Sequence, residues 1–119
     1  MPVIVAPEGI DVEVREVQRQ AWQNKLAKGF NTTDVALEFG LLTAEVGEAF
    51  TAWRRQEADF GAELADVLIY LASLAQMTGV DLSAEVERKL ARNARREYRR
   101  DERGVLRRVS DPAGPAAPN

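Results

Sequence analysis

From Asp11 to Arg103 apolar residues recur at helical rather than strand-like spacing, and no proline occurs between Pro7 and Pro112. A proline-free span permits uninterrupted helices, and the pattern predicts four. The first runs over residues 11–28, with Val14, Val17, Ala21 and Trp22 as its apolar spacing and Gly29 as its stop. The second starts at Thr33 or Asp34 as N-cap and runs to Gln56. The third covers 59–78 and is ended by Gly79; the fourth starts near Asp81 or Ser83, carries Glu85 and Glu87 in its first turns, and runs to Arg103. No strand alternation or internal repeat is visible, so the expectation is one all-α domain of four-helix bundle type over residues 11–103. Residues 1–10 form an N-terminal extension. Residues 104–119, ending in SDPAGPAAPN, read as a disordered tail.

The third helix poses the chemical question. FGAELADVLIYLASLA, Phe60 to Ala75, is apolar nearly all round, which marks a central helix. Its only charges are two carboxylates, Glu63 and Asp66. Burying an ionised carboxylate is unfavourable unless it is paired or bound to a metal.

The second helix carries a matching pair. Glu45 and Glu48 are again i and i+3, and Glu38 lies two turns earlier near the same stripe. The spacing is therefore E-x2-E, fourteen residues, then E-x2-D. A tight turn near Glu57–Asp59 brings the helices back antiparallel, and the four carboxylates can then converge. Either pair alone is also what a solvated helix face produces; both pairs on neighbouring helices point to a site. Four gathered carboxylates need countercharge, which Mg²⁺ would supply, with Mn²⁺ also suited to an all-oxygen site.

Composition narrows what such a site can do. The chain has no cysteine and no histidine, which removes thiol nucleophiles, Cys-ligated metals and the commonest general base. Any metal is held by oxygen. No apolar run looks long enough to span a bilayer, and the N-terminus lacks a basic leader segment, so a cytoplasmic location and no membrane partner are expected.

The net charge of −3 hides an asymmetry. Residues 88–119 hold 10 of the 16 basic groups and only 4 of the 19 acidic ones. On the fourth helix Lys89, Asn93, Arg96 and Arg100 fall within about 60° of one another. Such a row of donors suits a polyphosphate, as point charge and planar fork. A nucleic-acid partner is the weaker reading, because the chain is acidic overall and no aromatic residue interleaves with the arginines before Tyr98. A solvated helix face is the plain alternative, and it suffices for Arg92, Arg95, Arg99 and Arg103.

These residues resemble the MazG-like all-α nucleoside triphosphate pyrophosphohydrolases. Glu45, Glu48, Glu63 and Asp66 occupy the E-x2-E and E-x2-D positions of that family, and ELADVLIYL looks like the second half of its motif. KLARNARREY resembles the downstream K-x3-N-x2-R-x-Y, which places Lys89, Asn93, Arg96 and Tyr98 there, and AWQNKLAKGFN resembles the segment before the motif in short members. The EVGE form looks like the dCTP-pyrophosphatase branch. The resemblance implies Mg²⁺-dependent cleavage of a nucleoside triphosphate to monophosphate and pyrophosphate, homo-oligomers (dimers or tetramers), and a role in clearing nucleotide pools. It implies Glu45, Glu48, Glu63 and Asp66 as metal ligands and Lys89, Asn93, Arg96 and Tyr98 as substrate-binding residues.

One departure matters. Many members carry a further Glu immediately before the first motif Glu, and this chain has Ala44. Glu48 or Glu38 would have to activate water, or the metal itself would suffice. Trp22, Phe30 and Trp53 are candidates for stacking on the base, although a Trp at helical spacing is more often core. Rival readings are a phosphoribosyl-ATP pyrophosphatase and a non-catalytic nucleotide- or protein-binding scaffold.

Overall fold

The computed structural model describes residues 3–4 and 11–110. Its elements are α1 (Val14–Lys28), α2 (Val35–Arg54), α3 (Phe60–Met77), α4 (Leu82–Arg95), β1 (Glu97–Arg100) and β2 (Leu106–Ser110). The chain forms two compact units, one ending at Leu82 and the other beginning at Ser83.

In the first unit α3 packs against both α2 and α1. The helix ends follow the local chemistry. The Asp34 carboxylate accepts from Leu37 N at 3.0 Å and caps α2. Gly29 terminates α1 in the left-handed region, φ 69°, where a Cβ would be strained. A short turn follows α2, with Gln56 at φ 55°, and α3 begins at Phe60.

The buried apolar residues are mostly small: Ala21, Ala49, Ala52, Ala72, Leu74 and Ala75. Small side chains let helix backbones approach closely, and they leave the large ones outside. Phe39, Val46, Phe50 and Trp53 of α2 and Leu64, Leu68 and Leu71 of α3 are all exposed. Among the described residues the largest fully buried side chain is a charged one, Glu38.

Gln18 joins the far end of this unit. Its Nε2 donates to Gln76 Oε1 (3.0 Å) and Val80 O (2.8 Å), and its Oε1 accepts from Leu82 N (3.2 Å). A buried amide with three partners fixes α1 to the end of α3 and satisfies a donor at the start of α4. By length and composition α3 could cross a bilayer, contrary to the expectation above. It also carries Glu63 and Asp66 and is packed on two sides by helices.

The second unit departs from the sequence expectation. α4 ends at Arg95, eight residues short of Arg103, and the chain turns into an antiparallel hairpin. Tyr98 pairs with Arg108, Arg99 with Arg107 and Arg100 with Leu106. Asp101 organises the turn: its Oδ1 accepts from Arg103 N (2.8 Å) and Val105 N (3.0 Å), its Oδ2 from Arg107 Nε (3.0 Å). Gly104, at φ 78°, completes it. Tyr98 and Arg100 are therefore strand residues, and the supposed helical row stops at Asn93, with Arg96 between helix and strand. Residues 104–110 belong to the hairpin rather than to a disordered tail, whereas 111–119 lie outside the described residues. Of the N-terminal extension only Val3 and Ile4 are described.

Candidate metal centre and adjoining cleft

Helical phase puts Glu45 and Glu48 on one edge of α2, and the turn through residues 55–59 returns α3 with Glu63 facing them. Glu45, Glu48 and Glu63 each offer one carboxylate oxygen, and these oxygens all lie within 4.8 Å of one another. Glu48 is exposed; Glu45 and Glu63 are half-buried. Glu45 Oε2 and Glu63 Oε2 are buried without a hydrogen-bond partner among the described residues. An unpartnered buried carboxylate oxygen is unfavourable, and here two of them face a cluster of like charge.

The electrostatics agree. Burial, followed by the Glu48 charge, pushes the Glu45 carboxyl above the ordinary glutamate range, with Asp66 and Glu63 adding to the push. Burial, then Glu48 and Asp59, raises Glu63, with smaller contributions from Asp66 and Glu57. Tyr70 is raised by burial and by Glu45, Glu38, Asp66 and Glu48. Carboxylates whose charged forms are this disfavoured are suited to a hard divalent cation, which restores the ionised state. The donor set is all oxygen, so Glu45, Glu48 and Glu63 suit a hard cation such as Mg²⁺ or Mn²⁺; Asp66, expected to converge with them, is not one of the three, although its charge acts on Glu45 and Glu63.

Asp66 also borders a cleft of about 390 Å³. Ala21, Leu41, Ile69 and Tyr70 give it apolar walls, and Asn24, Lys25, Asn31 and Ser73 give it polar points. That mixture is typical of a small-molecule pocket. Of the three aromatic stacking candidates only Phe30 lines this cleft. Trp22 lies in a different depression with Arg15 and Arg19, and Trp53 in a third with Phe60, its ring 6.1 Å from that of Phe50.

Glu38, expected as one of two water-activating groups, is not part of the carboxylate triad. It is completely buried, and its Oε1 accepts from Lys25 Nζ at 2.8 Å and from Asn31 Nδ2 at 3.3 Å. A carboxylate closed off from water and engaged by an ammonium has no route to a substrate water.

Lys25, Asn24, Asn31, Tyr70 and Ser73 were not singled out from the sequence. The signal for Lys25 was present: it follows Gln18 and Ala21 on the one buried stripe of α1. In the second unit Lys89, Asn93 and Arg96 share α4 or its end, where Arg96 Nη1 donates to Asn93 Oδ1 at 3.0 Å. Tyr98 is half-exposed on β1.

Acidic residues from two packed helices, converging beside a ligand-sized cleft, define a metal-dependent helical hydrolase. The chain belongs to the MazG-like family, whose model matches residues 36–111. It is 34% identical over 77 residues to a dATP/dGTP diphosphohydrolase of Cyanophage S-2L, covering 65% of this chain and 70% of the relative. It is 34% identical over 73 residues to a dATP/dGTP diphosphohydrolase of Salmonella phage PMBT28, covering 56% of this chain and 25% of that longer protein. Among solved structures, the Cyanophage S-2L MazG-like pyrophosphohydrolase bound to dGDP and three catalytic Mn²⁺ ions per active site is similar with a TM-score of 0.63 and 27% identity. That match covers 84% of this chain and all of the other. Family, fold and site agree on a hydrolase acting on nucleoside triphosphates.

Proposed function

We propose that this protein hydrolyses purine deoxynucleoside triphosphates to the monophosphate and pyrophosphate. The observation that carries the reading is the convergence of Glu45, Glu48 and Glu63 within 4.8 Å, with two buried carboxylate oxygens lacking partners. The purine preference rests on the two phage relatives and on the dGDP held by the related structure.

Glu45, Glu48, Glu63 and Asp66 would hold the divalent ions, with Mg²⁺ the ordinary ion and Mn²⁺ able to replace it. The ions supply charge neutralisation on the phosphates and lower the pKa of water. Water adds its oxygen to a phosphorus of the α–β anhydride, the bridging P–O bond breaks, and the leaving oxygen keeps the electron pair. Glu48, the exposed member of the triad, accepts the proton of that water. Asp66 borders the cleft lined by Phe30 and Tyr70, which would receive the base and sugar. Lys89, Asn93 and Arg96 stand where the chain resembles the downstream motif of the family, and their side chains are donors of the kind that phosphate oxygens accept from.

The test is a panel of triphosphates with Mg²⁺ or Mn²⁺, resolving nucleotide products by chromatography and assaying pyrophosphate. The expected result is dGMP or dAMP with one pyrophosphate per turnover. Release of orthophosphate with dGDP, or no metal-dependent turnover of any nucleotide, would overturn it.

A further inference from the structure

The buried ion pair behind the cleft is not explained by metal binding. Lys25 is 6% exposed and Glu38 0%. Lys25 Nζ donates to Glu38 Oε1 and to Asn31 O, both at 2.8 Å. Asn31 in turn donates from Nδ2 to Glu38 Oε1 (3.3 Å) and Asp34 O (2.8 Å), while its Oδ1 accepts from Asp34 N (3.0 Å). One lysine thus ties the last turn of α1, the connecting loop and the first turn of α2.

A buried ion pair gives little net stability compared with an apolar pair of the same size, because desolvation offsets attraction. What it supplies is direction. The loop it holds has no apolar anchor to do the same: Leu26 is 59% and Phe30 54% exposed. Lys25, Phe30 and Asn31 nevertheless form one wall of the cleft that Asp66 and Tyr70 line. The orientation of the Asn31 amide is dictated by its three bonds within this network, and the place of the Phe30–Asn31 backbone by the ammonium.

We propose that the Lys25–Glu38 pair is a positioning device for the nucleoside end of the substrate. It presets the wall made by Phe30 and Asn31, so it governs how well, and which, nucleotide seats in the cleft, and not the hydrolytic step at the carboxylate triad. The proposal rests on the cleft being the nucleoside pocket of the reading above. A wall ordered before binding removes an ordering cost that a loose loop would impose on affinity.

The experiment compares wild type with Lys25→Met/Glu38→Leu, which removes both charges and strands neither, and with Glu38→Gln, which keeps the shape and a neutral acceptor. Melting temperature, kcat, KM for dGTP and dCTP, and calorimetric binding of a non-hydrolysable dGTP analogue with Mn²⁺ are measured on each. The double variant is expected to melt near wild type, with KM for dGTP and Kd for the analogue raised about tenfold or more, kcat within about threefold, and a smaller dGTP-over-dCTP preference. Glu38→Gln is expected to shift KM and Kd in the same direction by less, which keeps the comparison decisive if the double variant does not fold. Wild-type KM, Kd and selectivity in a folded variant would overturn the proposal and leave the pair as packing alone. A fall in kcat at constant KM would also overturn it, by placing the pair in the chemical step. A wild type that binds the analogue but hydrolyses nothing refutes the enzyme reading, while the Kd comparison still decides this one.

Discussion

Glu45 on α2 and Glu63 on α3 come from different helices, yet each places a carboxylate oxygen within 4.8 Å of the other, and each has its Oε2 buried without a hydrogen-bond partner among the described residues. Two like charges held together in this way work against the fold until a cation joins them. The carboxylate cluster is thus an electrostatic stress in the metal-free chain, and that stress is measurable.

Glu45→Gln keeps the size of the side chain and removes a charge that burial and the neighbouring Glu48 oppose. The metal-free variant should melt at or above the wild-type temperature, and Mn²⁺ should raise its melting temperature less than that of wild type. Pyrophosphate release should fall by about a hundredfold or more, because the proposed reaction depends on ions held by this cluster. Scanning calorimetry with and without Mn²⁺, on the same preparations used for kinetics, checks all three. A variant that loses stability while keeping its full metal response would mark Glu45 as a structural partner instead.

The raised pKa values of Glu45 and Glu63 fix the sign of a pH effect. An acid whose folded-state pKa lies above its unfolded value binds more protons when folded across the interval between the two. Stability therefore falls as pH rises through that interval. In the metal-free protein, denaturant midpoints should decline from the ordinary glutamate pKa upward, and Glu63→Gln should flatten the decline. Glu16 acts in the opposite sense and at lower pH, since Arg19 pulls it down to about 2. Urea titrations across pH, wild type against variant, separate the two.

The apolar residues left outside suggest self-association. Phe39, Val46, Phe50 and Trp53 follow one stripe of α2, and Leu64, Leu68 and Leu71 one stripe of α3, all exposed. Exposed apolar area of this kind marks an interaction surface, and a second copy is the simplest partner. Light scattering should give a mass above 13.2 kDa. Phe50→Asp should shift the protein toward monomer and lower its stability together.

Gln56 occupies the left-handed region at φ 55° in the turn that sets α3 against α2. An L-residue there is strained, and glycine is not. Gln56→Gly should be neutral or stabilising by about 0.5–1 kcal/mol, read from the denaturant midpoint. A clear loss would show that the Gln56 side chain anchors the turn.

The extent of the second unit was the part least legible in the sequence. Lys89, Asn93, Arg96 and Arg100 kept a helical spacing, and the helix was carried on to Arg103. The hairpin over 97–110 depends on Asp101 and Gly104 closing a turn and on pairing across it, such as Tyr98 with Arg108. Pairing between distant residues is invisible to a local period, and EYRR is too short to declare its alternation. The turn signal itself, Asp followed three residues later by Gly, stood in the sequence.

The sequence by itself determined the helices of the first unit, because caps and stops such as Asp34 and Gly29 act over a few residues. It also determined the metal chemistry, because the absence of Cys and His left only oxygen ligands for E-x2-E and E-x2-D to supply. Only the tertiary structure decided which charges are buried. Glu38 and Glu45 share a stripe of α2; only Glu45 has a second carboxylate at i+3, but helical spacing does not say which neighbour either side chain meets. Glu38 is neutralised by a lysine of α1 across the loop, while Glu45 meets Glu63 of α3. A helix fixes the direction in which a side chain points, but the neighbour it meets there is set by the packing of other helices, and that neighbour decides whether a carboxylate becomes a structural anchor or a metal ligand.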